Sequence, residues 1–245
     1  MIYVFTIHHN GFDFSHSVEF KNTSPIFRNI TFKKSNYKLE FHVSKTSNNH
    51  ERNISEAKIE VNKLADKLSL LPNHRISLVA CVGYFDNENQ YHSIGSRHKS
   101  GGHAKAQIVI KDPEQYYKSY ENKKILTSRY NLGAVRLFRL SMGTVDKFSE
   151  YLILYGILQI VIADEEKKNE VSQKVIDKKI MEMEPTVLMV EDGKFMETIY
   201  TRTRNLISHP KNGTDLDKAF ENVNNYIQPL REMVREIIIQ SGKQK

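Results

Sequence analysis

The hydrophobic period of this chain changes near residue 125, and that change limits the fold more than any other feature. Before it, runs of β-branched and aromatic residues alternate with turn-prone Asn, Gly, Ser and Pro. These runs predict strands over residues 2–8, 17–20, 27–33, 37–44 and 75–82. A single apolar stripe predicts one helix over about 55–71, formed by Ile59, Val61, Leu64, Leu68 and Leu71. We therefore expect residues 1–125 to form an α+β domain.

After residue 125 the apolar residues recur at helical spacing. The pattern predicts a short helix over about 133–142 and four longer ones over about 144–163, 165–183, 194–208 and 216–240. The helix over 144–163 is apolar nearly all round, so it should be central, with Thr144 as its N-cap. Pro229 should kink or split the last helix. Residues 126–245 thus predict an all-α bundle of four to five helices.

The positive charge belongs to the first part of the chain. The formal net charge is +7, but residues 1–142 carry 21 Lys and Arg against 12 Asp and Glu. Residues 143–240 carry 13 against 17. A basic surface gains affinity for polyanions by releasing their counterions, which fits RNA as a partner. An ordinary solvated basic surface explains the same count equally well.

Cysteine, histidine and hydropathy exclude several classes of protein. Cys81 is the single cysteine, so an intrachain disulfide is excluded, and its apolar neighbours predict a buried thiol in a strand rather than a catalytic one. The histidines show no zinc-ligand spacing, so we expect no metal site. The opening residues lack the pattern of a signal peptide, and the apolar run over 151–163 is too short to cross a bilayer. We expect a cytoplasmic protein with no membrane partner.

Six residues near the C-terminus carry the clearest chemistry: Arg204, Asn205, Leu206, Ile207, Ser208 and His209, followed by Pro210. An Arg can hold an anionic phosphate, and a His can move protons near neutral pH. In one continuous helix, Glu197, Tyr200, Arg204 and Ser208 form a stripe beside the apolar face. Glu197 should then orient the Arg204 guanidinium by a charge-assisted pair. Because the residue before proline avoids the α conformation, the helix should end at His209 and let it turn toward Arg204.

The stretch from Glu197 to Pro210 resembles the end of the third helix of HEPN-domain ribonucleases, whose motif is Arg-x4-6-His with a polar residue after the Arg. The likeness covers about residues 130–240. It implies an HEPN-like bundle, a metal-independent endoribonuclease without a cofactor, and Arg204, Asn205 and His209 as catalytic residues, with Glu197, Tyr200 and Ser208 in support. It also implies a homodimer and a toxin or phage-defence setting, with an antitoxin or other defence-system partner. Position 211 is Lys rather than the Tyr that accompanies nucleotidyltransferase antitoxins, which disfavours that partnership.

Further cations are secondary candidates for binding RNA. They are Arg202, Lys211 and three residues of a glycine-rich loop, Arg97, Lys99 and Lys105. A solvated loop is the simpler interpretation of that glycine-rich segment. Three alternatives to the nuclease stay open. One is a non-catalytic HEPN-like module for dimerisation or binding of nucleic acid or protein. Another is a regulator whose first domain holds a nucleotide. In the third, Arg204 and His209 only cap the C-terminus of a helix.

Overall fold

A computed structural model of the chain describes residues 2–10, 12–14, 18–21, 27–35, 38–45, 49–72, 74–94, 108–110, 115, 119–193, 195–210 and 216–242. It divides into two compact units, Met1–Thr127 and Ser128–Lys245, called here the strand unit and the helical unit. The division falls close to the change of hydrophobic period.

The strand unit contains a six-stranded antiparallel sheet. Its order is β3-β4-β5-β1-β6-β7, and β2 pairs with β8 in a separate parallel ladder. The strands are β1 (Ile2–Asn10), β2 (Phe12–Phe14), β3 (Val18–Lys21), β4 (Phe27–Ser35), β5 (Lys38–Lys45), β6 (Arg75–Phe85), β7 (Tyr91–Ser93) and β8 (Ile108–Ile110). The five strands expected from the sequence all form, and the described residues include three further short strands, of which β7 joins the six-stranded sheet.

One long helix packs on this sheet. Helix α1 (His50–Leu68) contacts β1 and β6 and buries Ala57, Val61, Ala65 and Leu68 completely. It begins earlier than predicted because the side chain of Asn49 accepts a hydrogen bond from the Arg52 amide, 3.1 Å away. Its buried stripe is rotated from the predicted one, since Ile59 is half exposed. Helix α2 (Tyr120–Thr127) closes the unit.

The helical unit contains five helices and one β-hairpin among the residues that the structure describes. They are α3 (Leu132–Ser141), α4 (Lys147–Glu165), α5 (Gln173–Met183), β9 (Met189–Asp192), β10 (Phe195–Thr198), α6 (Ile199–Ser208) and α7 (Leu216–Ser241). Helix α4 is central, as predicted, because it contacts each of the other four helices. Its buried side chains lie on several sides, which matches its nearly uniform apolar character.

The hairpin β9–β10 corrects the predicted third helix. That helix was expected over 194–208, but α6 begins at Ile199 and the preceding residues pair as strands. A continuous helix would turn Phe195 and Met196 toward the core on the side of Ile199, but they are 76% and 58% exposed. The reason lies in the turn. Gly193 adopts φ +64°, and an Asp-Gly pair between short apolar runs is a hairpin signal that overrides helical spacing.

Three further helix boundaries differ from those predicted. Asp146 rather than Thr144 caps α4, since its carboxylate accepts from the amides of Phe148 and Ser149. Helix α5 begins at Gln173, well after the predicted residue 165. Helix α7 runs through Pro229 without a break, so the predicted split is wrong. Pro229 and Asn225 are both exposed, so water can meet the Asn225 carbonyl that lacks a helical donor.

The hydropathy of the helices bears on membrane insertion. Within the described parts of the chain, no helix is both long and apolar enough to cross a membrane.

Candidate functional site

Helix α6 carries the Arg-x4-His motif and is fixed at both ends. At its start, the Thr198 hydroxyl accepts a hydrogen bond from the Thr201 amide. At its end, the His209 amide donates to the Asn205 carbonyl, 3.0 Å away, and His209 has left helical geometry at φ −134° and ψ 58°. The helix therefore ends where the residue before Pro210 was predicted to end it.

Arg204 is half-buried, and its guanidinium is held by two neighbours. Its Nη1 donates to the Asn205 side-chain oxygen at 2.9 Å. Its Cζ lies 5.8 Å from the centre of the Tyr155 ring, within the range of a cation–π interaction. Among the described residues, the Asn205 oxygen is the hydrogen-bond acceptor of this guanidinium, and the other four of its five N–H donors have no described acceptor.

Tyr155 provides a fixed surface beneath that guanidinium. Its side chain lies in the core, and its hydroxyl is 2.8 Å from the Thr201 hydroxyl. Burial raises the pKa of Tyr155 to about 12, against the lowering effect of its hydrogen bond to Thr201. The Tyr155 hydroxyl therefore keeps its proton at physiological pH.

Glu197 lies beneath Asn205 and is almost completely buried. Its Oε2 accepts from the side-chain amides of Gln173 at 2.7 Å and Asn205 at 2.9 Å. Its Oε1 lies 3.4 Å from Nη1 of Arg202. The predicted direct pair with Arg204 is wrong, because Glu197 belongs to β10 and not to a helical stripe. It reaches Arg204 through the neutral amide of Asn205.

Asp177 ties α5 to the start of α6. It is 5% exposed, and its Oδ1 accepts from the Thr198 amide at 3.2 Å and from the Thr198 hydroxyl at 2.7 Å. The Thr201 hydroxyl also donates to this oxygen, at 2.5 Å. Because Thr201 in turn meets Tyr155, one hydrogen-bonded chain joins α5, α6 and α4 under the motif.

Within the described part of the chain, the other predicted supporting residues do not hydrogen-bond the Arg204 guanidinium. Tyr200 is completely buried, contrary to its predicted place on the Arg204 stripe, and its hydroxyl donates to Glu184 at 2.7 Å. Burial is the main cause that raises the pKa of Tyr200. Ser208 is half-buried, and His209 is exposed. Among the described residues, none hydrogen-bonds the His209 imidazole.

Some predicted candidates cannot be placed, and some residues near Arg204 were not predicted from the sequence. Lys211, Arg97, Lys99 and Lys105 lie outside the described residues. Gln173, Asp177 and Tyr155 were not predicted. Tyr155 lies on α4, whereas Gln173 and Asp177 lie about one turn apart on α5, and no local motif marks them. Their proximity depends on how α4 and α5 pack against α6.

The carboxylates and imidazoles of the described residues bear on whether a metal could bind. Within the described ranges, no group of three or more His, Cys, Asp and Glu side chains could hold a metal ion.

Protein-family models, curated proteins and solved structures give no match to this chain. The geometry around α6 is therefore the basis for assigning a function.

Proposed function

We propose that the helical unit is a metal-independent endoribonuclease of the HEPN type that acts as a dimer. One observation carries this proposal. The Arg204 guanidinium is fixed by Asn205 and Tyr155 with donors to spare, and the exposed His209 lies at the end of the same helix. The two residues are five positions apart at the C-terminal end of α6, so both are near the same end of the helix.

The chemistry follows from these side chains. In RNA, the 2′-hydroxyl attacks the adjacent phosphorus and the bond to the 5′-oxygen breaks. The His209 imidazole takes the hydroxyl proton or returns a proton to the leaving oxygen. Arg204 stabilises the extra negative charge on the phosphorane. The products are a 2′,3′-cyclic phosphate and a 5′-hydroxyl, and DNA, which lacks the attacking group, is not cleaved.

A dimer would supply the two proton-transfer groups that the reaction uses. The reaction uses one base and one acid, and each chain supplies one histidine in this motif. A two-fold interface that brings two α6 C-termini together supplies both. RNA is the expected partner, with a second copy of the chain and an antitoxin or other defence-system protein.

RNA cleavage in EDTA tests the activity. Wild-type protein should cleave single-stranded RNA to cyclic-phosphate ends, and Arg204→Ala and His209→Ala should each lower the rate by at least about a hundredfold. Lys178→Ala removes an exposed cation from the neighbouring helix α5 and should match wild type. Equal rates in the wild type and both motif variants would falsify the nuclease.

A second candidate function is a non-catalytic module that binds nucleic acid or protein. The observation that favours it is the imidazole of His209, which no described side chain orients, whereas general bases are usually held by a partner. This module would bind RNA without cutting it, and its affinity would fall with added salt. Gel shifts over a salt series with the Arg204→Ala and Lys178→Ala variants separate the two functions.

A further inference from the structure

The Asn205 side chain can take one orientation in this site. A carboxylate accepts hydrogen bonds, and a guanidinium donates them. Asn205 lies between the two, with Nδ2 2.9 Å from Glu197 and Oδ1 2.9 Å from Arg204. Reversing the amide would place its NH2 against the guanidinium and its oxygen against the carboxylate. The chemistry of its two neighbours therefore decides which end of Asn205 faces Arg204.

Gln173 strengthens that choice from a different helix. Its Nε2 donates to the same Glu197 oxygen at 2.7 Å, and its Oε1 accepts from Asn205 Nδ2 at 3.3 Å. The Gln173 amide thus donates to the Glu197 carboxylate and accepts from the Asn205 amide. We name these three residues, Gln173, Glu197 and Asn205, the Asn205 brace.

The brace also keeps the negative charge of Glu197 away from Arg204. A direct pair would occupy two guanidinium donors and compete with a phosphate. Instead, the second carboxylate oxygen faces Arg202, and Arg204 is aimed by a neutral amide oxygen. The cation keeps its full charge for an anionic ligand while its direction is fixed.

We infer that Gln173 and Glu197 are positioning residues that orient the Arg204 guanidinium through Asn205. This inference rests on the proposed ribonuclease activity, where Arg204 meets the phosphate. Neither residue touches the substrate. Gln173 and Glu197 hold the Arg204 guanidinium in place before the substrate binds. An error of about 1 Å in the position of a catalytic group can lower the rate by up to about a hundredfold.

Substitutions of Gln173 test the inference in the full-length protein with single-stranded RNA. Gln173→Ala should lower kcat on the order of tenfold and leave KM within about twofold. Gln173→Glu places two carboxylates side by side, and the other charged groups bonded to the brace are Arg202 and Arg204. Its rate relative to wild type should be lowest near pH 8 and recover near pH 5.5, where the two carboxylates share a proton.

Lys174→Ala is the matched control, because Lys174 is exposed and next to Gln173 in the chain. This variant should cleave RNA at the wild-type rate. A Gln173→Glu rate that keeps a constant ratio to wild type between pH 5.5 and 8 overturns the inference and leaves the nuclease standing. An inactive wild type overturns the nuclease alone. The brace is then decided by NMR. The Asn205 side-chain amide resonances should shift in Gln173→Ala and stay in place in Lys174→Ala, and no shift in Gln173→Ala overturns the brace.

Discussion

Asp177 holds the N-terminal end of α6 in place beneath the motif. One of its oxygens receives an amide and two hydroxyl donors from the first turn of α6. Buried donors that lose their acceptor keep the full cost of their desolvation. Asp177 thus fixes the N-terminus of the helix whose C-terminus carries the candidate histidine.

Replacing Asp177 by Ala should lower the free energy of unfolding of the helical unit by about 3 kcal/mol, because three buried donors lose their partner. Urea unfolding followed by circular dichroism measures this loss. The adjacent Lys178→Ala variant removes an exposed side chain and should change stability by less than about 0.5 kcal/mol. Similar losses in both variants would contradict a special role for Asp177.

Tyr155 links stability to alkaline pH. The pKa of a tyrosine in the unfolded chain is 10.0, and burial raises that of folded Tyr155 to about 12. Between these values the folded state keeps a proton that the unfolded state has lost. The contribution of Tyr155 to stability is therefore complete below pH 10 and lost as the pH rises toward 12.

The variant Tyr155→Phe isolates that contribution. At pH 8 it should be about 1 kcal/mol less stable than wild type, since the hydrogen bond with Thr201 is gone. Between pH 10 and 12 the wild type should lose more stability than the variant, by about 2 kcal/mol. Unfolding measured across this range gives the difference, and a constant gap between the two proteins counts against the assigned burial effect.

At the scale of elements, α6 depends on its surroundings. It has ten residues, and an isolated helix of that length is marginal in water. Its start is held by Thr198 and Asp177, its side by Tyr155, and its last turn by the Asn205 brace. Helix α7 is the opposite case, since its 26 residues continue past a proline. Packing of Val223, Ile227, Leu230 and Val234 holds it together.

Pro229→Ala should raise the free energy of unfolding by about 1–3 kcal/mol. Alanine supplies the N–H that the Asn225 carbonyl lacks and removes the clash of the ring with that carbonyl. Thermal or urea unfolding checks it. Asn225→Ala, four residues earlier on the exposed side, should gain no more than about 0.7 kcal/mol. A Pro229→Ala protein of unchanged stability would mean that packing already absorbs the full penalty.

At the scale of the whole molecule, the proposed nuclease depends on a second copy. The specific activity should fall steeply when the protein is diluted below the dissociation constant of the dimer, because each site then has one proton-transfer group. Sedimentation velocity over the same concentrations gives the fraction of dimer. Activity that tracks that fraction supports the dimer, whereas activity independent of dilution shows that one chain suffices.

The strand unit was predicted from local sequence more completely than the helical unit. Every predicted strand of the strand unit forms, because strand alternation and turn residues act over a few positions. The hairpin β9–β10 was missed although Asp192 and Gly193 marked it. Phe195 and Met196 lie four and three residues before Ile199, a spacing typical of one helix face, but the turn places them in a strand.

Local sequence determined the five predicted strands, the central place of α4, the end of α6 before Pro210 and the presence of an Arg and a His at that end. Only the tertiary structure decided what surrounds Arg204. Tyr155, Gln173 and Glu197 come from α4, α5 and β10, and their contacts cross long stretches of chain. Such contacts depend on packing and on the match of donors to acceptors, which periodicity does not encode. A Glu predicted to face Arg204 directly thus acts on it through an amide.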